Sequence, residues 1–249
     1  MLNILLCGCG GRMGAAIAAA AAAAGDRIIA GVDVNPVAAG PYPVFHCPDE
    51  FEGRADVMID FSHHSALEGL LAYAVRTGTP LVVCTTGHTE EELAQMKEAA
   101  KKAPIFFSRN MSLGINLLIS LCRRAAATLG EDFDIEIIEK HHNQKLDAPS
   151  GTALMIADAI CEDGEHPYVY DRHAERRKRA RGEIGLHAVR GGNIVGEHEV
   201  MFCGQNETVT LSHSAASREV FATGALRAAH FMQGKGAGLY NMDDVVNSL

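Results

Sequence analysis

The sequence predicts an α/β chain of two domains: a doubly wound parallel sheet, then an α+β domain with a mixed, largely antiparallel sheet. Three observations carry that reading. From the N-terminus to about residue 110, short apolar runs alternate with helical stretches. That order builds a parallel sheet with helices on both faces. Beyond it, strand-like runs follow one another, the pattern of a sheet with antiparallel neighbours. Finally, 47% of the 249 residues are hydrophobic and 21% charged, which supplies a sizeable core and excludes a disordered chain.

Taken in order, residues 2–7 are an apolar run bounded by glycines and read as a buried strand. Gly8 to Gly14 is a glycine-rich turn. Ala15–Ala24 holds nine alanines and one isoleucine; alanine is the strongest helix former, and its small side chain lets a helix lie close to a sheet. Gly25 is a suitable stop. Arg27–Val34 is a second strand, ending at Asp33 and the turn signal Asn35-Pro36. Strands at Asp56–Phe61, Pro80–Cys84 and Pro104–Phe107 then alternate with helices at Ser65–Thr77 and Glu90–Lys102.

The second part starts with a helix over Leu113–Leu129, a strand over Phe133–Glu139 and a helix over Gly151–Cys161. Strands follow at Ile184–Val189, Glu197–Phe202 and Thr208–Leu211, with turns at Gly191-Gly192 and Gln205-Asn206. A closing helix, Val220–Gln233, can return to the first domain. The expected division is residues 1–112, completed by 220–249, around a second domain of residues 113–219. The junction Asn110–Gly114 is the expected hinge.

The formal net charge of −9 argues against a nucleic-acid partner, which demands a positive field. No apolar stretch reaches the roughly 18 residues of a membrane span. The Met1-Leu2-Asn3-Ile4 start has no positive segment of a secretory signal. Seven scattered cysteines, at 7, 9, 47, 84, 122, 161 and 203, read as reduced thiols. A cytoplasmic setting is expected. Cys7-x-Cys9 has no accompanying Cys/His pair, so no metal site is expected.

Gly8-Cys9-Gly10-Gly11-Arg12-Met13-Gly14 follows a strand and opens a helix. Its glycines permit a tight turn and close approach of a pyrophosphate to backbone N–H groups at the helix start. Asp33, 19 residues after Gly14 at the end of the second strand, suits the adenosine ribose hydroxyls. These features make the first domain Rossmann-type. A sharp turn before a tightly packed helix would explain the glycines but not Asp33. An acid there with no cation at Val34 or Asn35 predicts NADH in preference to NADPH; Arg12 keeps NADPH open as a second cofactor.

A second constellation runs from Glu139 to Ala153, between a strand and a helix. His141 or His142 can transfer a proton near neutral pH. Lys145 adds a cation, Ser150 a helix cap, and Gly151 and Thr152 backbone N–H groups at a helix start. Together they form a cationic pocket for a carboxylate, or for a substrate with two. The alternatives are a polar loop whose histidines only satisfy backbone groups, and a zinc site. Adjacent strand histidines point to opposite faces, and no third ligand is near in sequence.

That segment resembles the E-x-H-H-x-x-K-x-D-x-P-S-G-T-A signature of the dihydrodipicolinate reductases, and the resemblance runs the whole length. Gly8–Gly14 is similar to the family's glycine loop. Asp60-Phe61-Ser62, Thr85-Thr86-Gly87, Asn110-Met111-Ser112-Leu113-Gly114, Gly196-Glu197-His198 and Ser217-Arg218 fit its other landmarks. The fifteen-residue signature is specific; the glycine loop alone is not. The resemblance implies reduction of a cyclic unsaturated dicarboxylate to tetrahydrodipicolinate by NADH or NADPH, in lysine and diaminopimelate biosynthesis. It makes His141 the proton donor and acceptor, and Lys145 the proton donor or electrostatic partner that stabilises the intermediate. It gives His142, Ser150, Gly151 and Thr152 to the substrate. Gly8, Gly10, Gly11, Arg12, Met13, Asp33, Thr85, Thr86, Gly87, Asn110 and Met111 go to the cofactor. It also implies a homotetramer. Cys84 stands where many relatives have Gly, Met111 where many have Phe, and Val34 where an arginine often follows the acid.

Two other functions fit part of the pattern. Another two-domain dehydrogenase, of an amino acid or dicarboxylate, would share the glycine loop but not the His-His-x-x-Lys run. A nucleotide-sensing protein would have no use for His141 and Lys145. The six basic residues of Arg172–Arg181 read as a solvated loop.

Overall fold

The computed structural model describes residues 1–161, 166–174 and 176–248. The chain forms two compact units: Met1–Leu113 with Glu219–Leu249, and Gly114–Arg218.

The first unit begins with strand β1 (Asn3–Cys7), helix α1 (Arg12–Ala24) and strands β2 (Arg27–Val32), β3 (Val44–Phe45) and β4 (Val57–Asp60). Helix α2 (Leu67–Thr77), strand β5 (Leu81–Val83), helix α3 (Glu90–Ala100) and strand β6 (Pro104–Phe107) continue the alternation. The second unit contains α4 (Leu113–Leu129), β7 (Asp134–His141), α5 (Gly151–Ile160), β8 (Tyr168–Val169), β9 (Ile184–Arg190), β10 (Gly196–Cys203) and β11 (Thr208–Ala215). The chain then completes the first unit with α6 (Glu219–Phe231), β12 (Gly238–Tyr240) and α7 (Met242–Asn247).

The first sheet has seven strands in the order β12-β6-β5-β4-β1-β2-β3, all paired in parallel. Strand order reverses at β1, between β2 and β4, the position where such sheets open a crevice for ligands. Apolar β1 is buried along nearly its whole length, as a central strand covered on both faces must be. Helix α1 ends at Gly25, whose φ of 79° lets its N–H reach the carbonyls of Ala21 and Ala22. On one face α1 packs with α6 through small residues, among them Ala21, Ala225 and Ala229. On the other, α2 and α3 cover Leu5, Met58 and Leu81.

The second sheet is mixed, in the order β11-β10-β7-β9-β8. β10 pairs antiparallel with β7 and β11, whereas β7 with β9 and β8 with β9 are parallel. One face carries Ile137, Leu186, Val200 and Phe202 under Ile119 of α4 and Ile156 of α5. Alternate residues of β7 follow this face, so Ile137, Glu139 and His141 are all buried.

Two expectations are corrected. The stretch read as one helix from Ser65 begins as a 3-10 turn, His64–Ala66, and becomes α-helical only at Leu67. The basic run Arg172–Arg181 is not simply a solvated loop. Arg172 and Arg177 grip the buried Glu183 carboxylate at 2.5 and 3.0 Å. Arg172 and Arg179 hold Glu136, which also meets His187 Nε2 at 2.6 Å. A buried carboxylate needs paired donors, and these arginines supply them; they hold Glu183 down at about 2. Five cysteines are buried, Cys47 is exposed and Cys203 is half-buried.

Candidate active site

In the first unit, the candidate cofactor site is built on the carboxyl ends of β1, β2 and β4. Gly8 leaves β1 with a φ of 76°, and a Cβ there would lie 2.5 Å from the Phe61 carbonyl oxygen. Gly14 is equally constrained, because a Cβ would meet the Gly8 and Cys9 carbonyls at 2.5 Å. Both positions admit only glycine. The turn is closed by Gly11 N–H to the Gly8 carbonyl, 3.1 Å. No side chain caps the start of α1, and its first turn has no acidic residue. The exposed Gly10 and Gly11 therefore present an uncapped helix N-terminus, with Arg12 exposed and Met13 half-buried beside it. This cradle fits a pyrophosphate.

Asp33 Oδ2 accepts from Gly10 N–H at 3.0 Å, and Oδ1 from Asn35 N–H at 3.1 Å. These bonds orient the carboxylate and leave lone pairs for ribose hydroxyls. Asp60, at the end of β4, organises the neighbouring loops. It accepts from the Ser62 hydroxyl at 2.5 Å and from the Thr85 hydroxyl at 2.7 Å. Burial pushes its carboxyl above the ordinary value, against those hydrogen bonds. Thr85 is thus buried and turned to Asp60, while Thr86 and Gly87 are exposed, Gly87 at a φ of 84°. Asn110 Oδ1 accepts from Ser112 N–H at 2.9 Å. Met111 is only 2% exposed and lies in the core of the first unit.

The second unit gathers the titratable groups around Glu139, which is wholly buried. Its Oε2 meets His141 Nδ1 at 2.6 Å, and Oε1 accepts from Ser150 N–H at 3.0 Å. Arg190 reaches both oxygens, each at 2.7 Å. Burial alone would raise the Glu139 carboxyl. The Arg190, His141 and Ser150 donors outweigh it and hold the group below the ordinary range. An ionised carboxylate only accepts, so His141 carries a proton on Nδ1. Burial lowers the His141 pKa, opposed by Glu139 and assisted by the Lys145 and Arg190 charges.

The remaining residues stand around this pair. Ser150 Oγ accepts from Ala153 N–H at 3.1 Å, capping α5, and lies 3.2 Å from His198 Nε2. Burial, with His141 nearby, drives His198 down to about 4. His142 is half-buried and Gly151 exposed. Lys145 pairs with Asp147 at 2.8 Å. Of the second-unit positions singled out in the sequence, Ser150 joins His141 on Glu139 and Lys145 places its charge near that ring; of the first-unit positions, Asp33 meets the glycine turn at Gly10.

Sequence reasoning gave no role to Glu139, Arg190, His198 or Asp60. The first was legible: two residues before His141 on a strand means the same face. Arg190 and His198 become neighbours only through strand pairing, His141 opposite Arg190 and Glu139 opposite His198.

The comparisons agree along the chain. Residues 2–111 match the family model described as "Dihydrodipicolinate reductase, N-terminus", and residues 114–246 the one described as "Dihydrodipicolinate reductase, C-terminus". A 4-hydroxy-tetrahydrodipicolinate reductase of Caldanaerobacter subterraneus subsp. tengcongensis is 52% identical over 99% of this chain and 98% of that protein. One from Clostridium tetani is 48% identical over 100% of this chain and 98% of that protein. The solved structure of a dipicolinate-bound dihydrodipicolinate reductase from Paenisporosarcina sp. TG-14 superposes with a TM-score of 0.82 at 25% identity, covering all of both chains. A probable dehydrogenase from Thermotoga maritima shares the fold alone, with a TM-score of 0.67 at 11% identity over 99% of this chain and 93% of that one. With both halves matched by family models, and half of its residues shared with such relatives along nearly its entire length, the chain belongs to the dihydrodipicolinate reductase family.

Proposed function

We propose that this protein, an NAD(P)H-dependent oxidoreductase, reduces the 4-hydroxy-tetrahydrodipicolinate/dihydrodipicolinate ring to tetrahydrodipicolinate in lysine and diaminopimelate biosynthesis. The observation that carries the mechanism is the His141–Glu139 pair, set beside Lys145 and the capped start of α5. The reduced nicotinamide, when bound, supplies a hydride to one ring carbon. Hydride arrival at a conjugated imine leaves an electron-rich enamine, and a positioned acid protonates the neighbouring carbon. His141 is that acid. Lys145 stabilises the charge, exchanging Asp147 for the substrate. The N–H groups of Gly151, which meets Asp147 in the free protein, and of Thr152 hold a carboxylate once the substrate displaces Asp147, with Ser150 fixing the helix start and His142 contributing a second contact.

On the cofactor side, Gly8, Gly10, Gly11, Arg12 and Met13 form the pyrophosphate turn. Asp33 receives the ribose. Thr86, Gly87 and Asn110 flank the nicotinamide, and Thr85 and Met111 support those loops from within. We assign a preference for NADH, because the Asp33 carboxylate repels a 2′-phosphate, with NADPH as the weaker alternative. We further assign a cytoplasmic homotetramer, in keeping with the exposed outer face of β11.

The decisive assay mixes the purified protein with NADH, or with NADPH, and freshly generated product of dihydrodipicolinate synthase, and follows nicotinamide absorbance. Oxidation with both, faster with NADH, is expected. No oxidation with either reduced cofactor overturns the reading. Light scattering on the purified protein tests the tetramer.

A further inference from the structure

We propose that Glu139, clamped by Arg190, is a positioning residue that fixes the His141 proton on Nδ1 and leaves Nε2 as the atom that exchanges a proton with substrate. The inference rests on the reading of His141 as the proton donor.

Four hydrogen bonds converge on the Glu139 carboxylate: His141 Nδ1, Ser150 N–H and the two ends of the Arg190 guanidinium. A carboxylate offers about four acceptor sites, so this one is saturated. Wholly buried, it has no capacity left for a ligand. Its work is done through its donors. The Arg190 fork keeps it ionised and fixes its plane. The fixed plane aims Oε2 at Nδ1, which sets both the tautomer and the ring orientation. Oε1 meanwhile holds the Ser150 N–H, immediately before α5. One side chain thereby locks the acid to the carboxylate cradle at the helix start.

Nε2 is the opposite case. It has no hydrogen-bond partner among the described residues, although the ring is largely buried. Gly196 of β10 stands beside it, and a Cβ there would come within 3.1 Å of Nε2. A glycine at this strand position keeps the approach open. The charged groups facing the ring are Glu139 on its own strand, Arg190 on β9 and Lys145 on the following loop. His198 on β10 packs edge-on, with ring centroids 5.3 Å apart.

When His141 gives its Nε2 proton to the ring carbon, the N–H bond breaks and the C–H bond forms. The imidazole is left neutral with its remaining proton on Nδ1, still bonded to Glu139. Solvent then returns a proton to Nε2. In the other tautomer a bare Nδ1 would face the ionised Glu139 carboxylate, two acceptors with no proton between them.

The test joins spectroscopy to a mutant cycle. Nitrogen-15 chemical shifts of the wild-type His141 ring, above its pKa, are expected to show Nδ1 protonated and Nε2 bare. The reverse tautomer overturns the proposal without any variant. Glu139→Gln is expected to lower kcat by about 10- to 100-fold, to leave the substrate KM little changed and to move the acid group's pH limb downward. Arg190→Lys, which keeps the charge but not the fork, is expected to fall between wild type and Arg190→Ala. In a His141→Gln background, Glu139→Gln is expected to add almost nothing to the loss of kcat, since its effect on kcat runs through that ring, while the glutamine amide oxygen still accepts from the Ser150 N–H. An undiminished second loss there, or full kcat in a folded Glu139→Gln protein, overturns the positioning role. Should Glu139→Gln fail to fold, Glu139→Asp keeps the charge and breaks the reach, and the same kcat loss is expected. Full activity in His141→Gln alone instead sinks the assignment of the acid.

Discussion

His141 sits between opposing influences. Burial and the positive charges of Lys145 and Arg190 favour its neutral form, while Glu139 favours the cation. The balance lies below the ordinary histidine value, so at neutral pH the free protein holds mostly neutral imidazole. A bound dicarboxylate brings negative charge into the pocket and raises the pKa again. Two pH limbs follow from this. A group that must be protonated loses activity as pH rises through its pKa, so the fall in kcat/KM, set by the free protein, is expected at lower pH than the fall in kcat. Steady-state kinetics across pH 5 to 9 would check the order; coincident limbs would contradict it. His141→Gln is expected to lower kcat by about 10²-fold or more while leaving NADH binding nearly intact. Lys145→Ala is expected to raise the substrate KM and lower kcat together. Calorimetric NADH titrations and initial rates separate these outcomes.

Among the elements, the glycine turn and the arginine clamp make contrasting demands. Gly8→Ala places a methyl group against the Phe61 carbonyl in a conformation that L-residues avoid. It is expected to abolish measurable NADH binding and to lower stability by about 1–3 kcal/mol, read by dye-free thermal unfolding and fluorescence titration. Arg172→Ala takes one of two arginine partners from buried Glu183. Because Arg172 is itself partly exposed, the expected loss is about 2 kcal/mol, seen as a lower urea midpoint. Much of the element list was legible in the sequence, because β1, α1, β6 and α4 have apolar patterns of ordinary length. Strands β3, β8 and β12 were not: they are two or three residues long and only partly buried, whereas the equally short β5 is wholly apolar and buried and could be read. Helix α7 was missed despite a readable signal: Asn241 and Asp244 form a reciprocal capping box. The arginine clamp was illegible for another reason. Its carboxylates lie on β7 and at the edge of β9, and only the sheet brings them to the basic loop.

For the molecule as a whole, acid should be more damaging than base. His198, at about 4 in the folded state against an ordinary 6.5, contributes stability that is complete above pH 6.5 and is lost as pH falls from there towards 4. The depressed carboxyls of Glu136 and Glu139 act in the same direction at lower pH, being complete above their ordinary values and lost as they protonate. The melting temperature is expected to hold steady between about pH 7 and pH 8, below the range where the buried thiols of Cys7 and Cys84 would ionise on unfolding, and to drop continuously below pH 6.5. A flat profile to pH 5 in differential scanning calorimetry would remove His198 from that account.

The first sheet is finished by the last strand of the chain. β12 pairs with β6, and α6 fits its Gly224 beneath the Met111 carbonyl so closely that no larger residue has room. During synthesis the whole of Gly114–Arg218 leaves the ribosome between these partners. At about 5–20 residues per second, the wait is on the order of ten seconds. Through that interval the edge of β6 stays unpaired and the apolar side of α1 lies bare, the combination that invites association between nascent chains. Demand for a chaperone should therefore peak late in translation, and slowing the ribosome over the Gly114–Arg218 codons should increase the fraction of chain that aggregates.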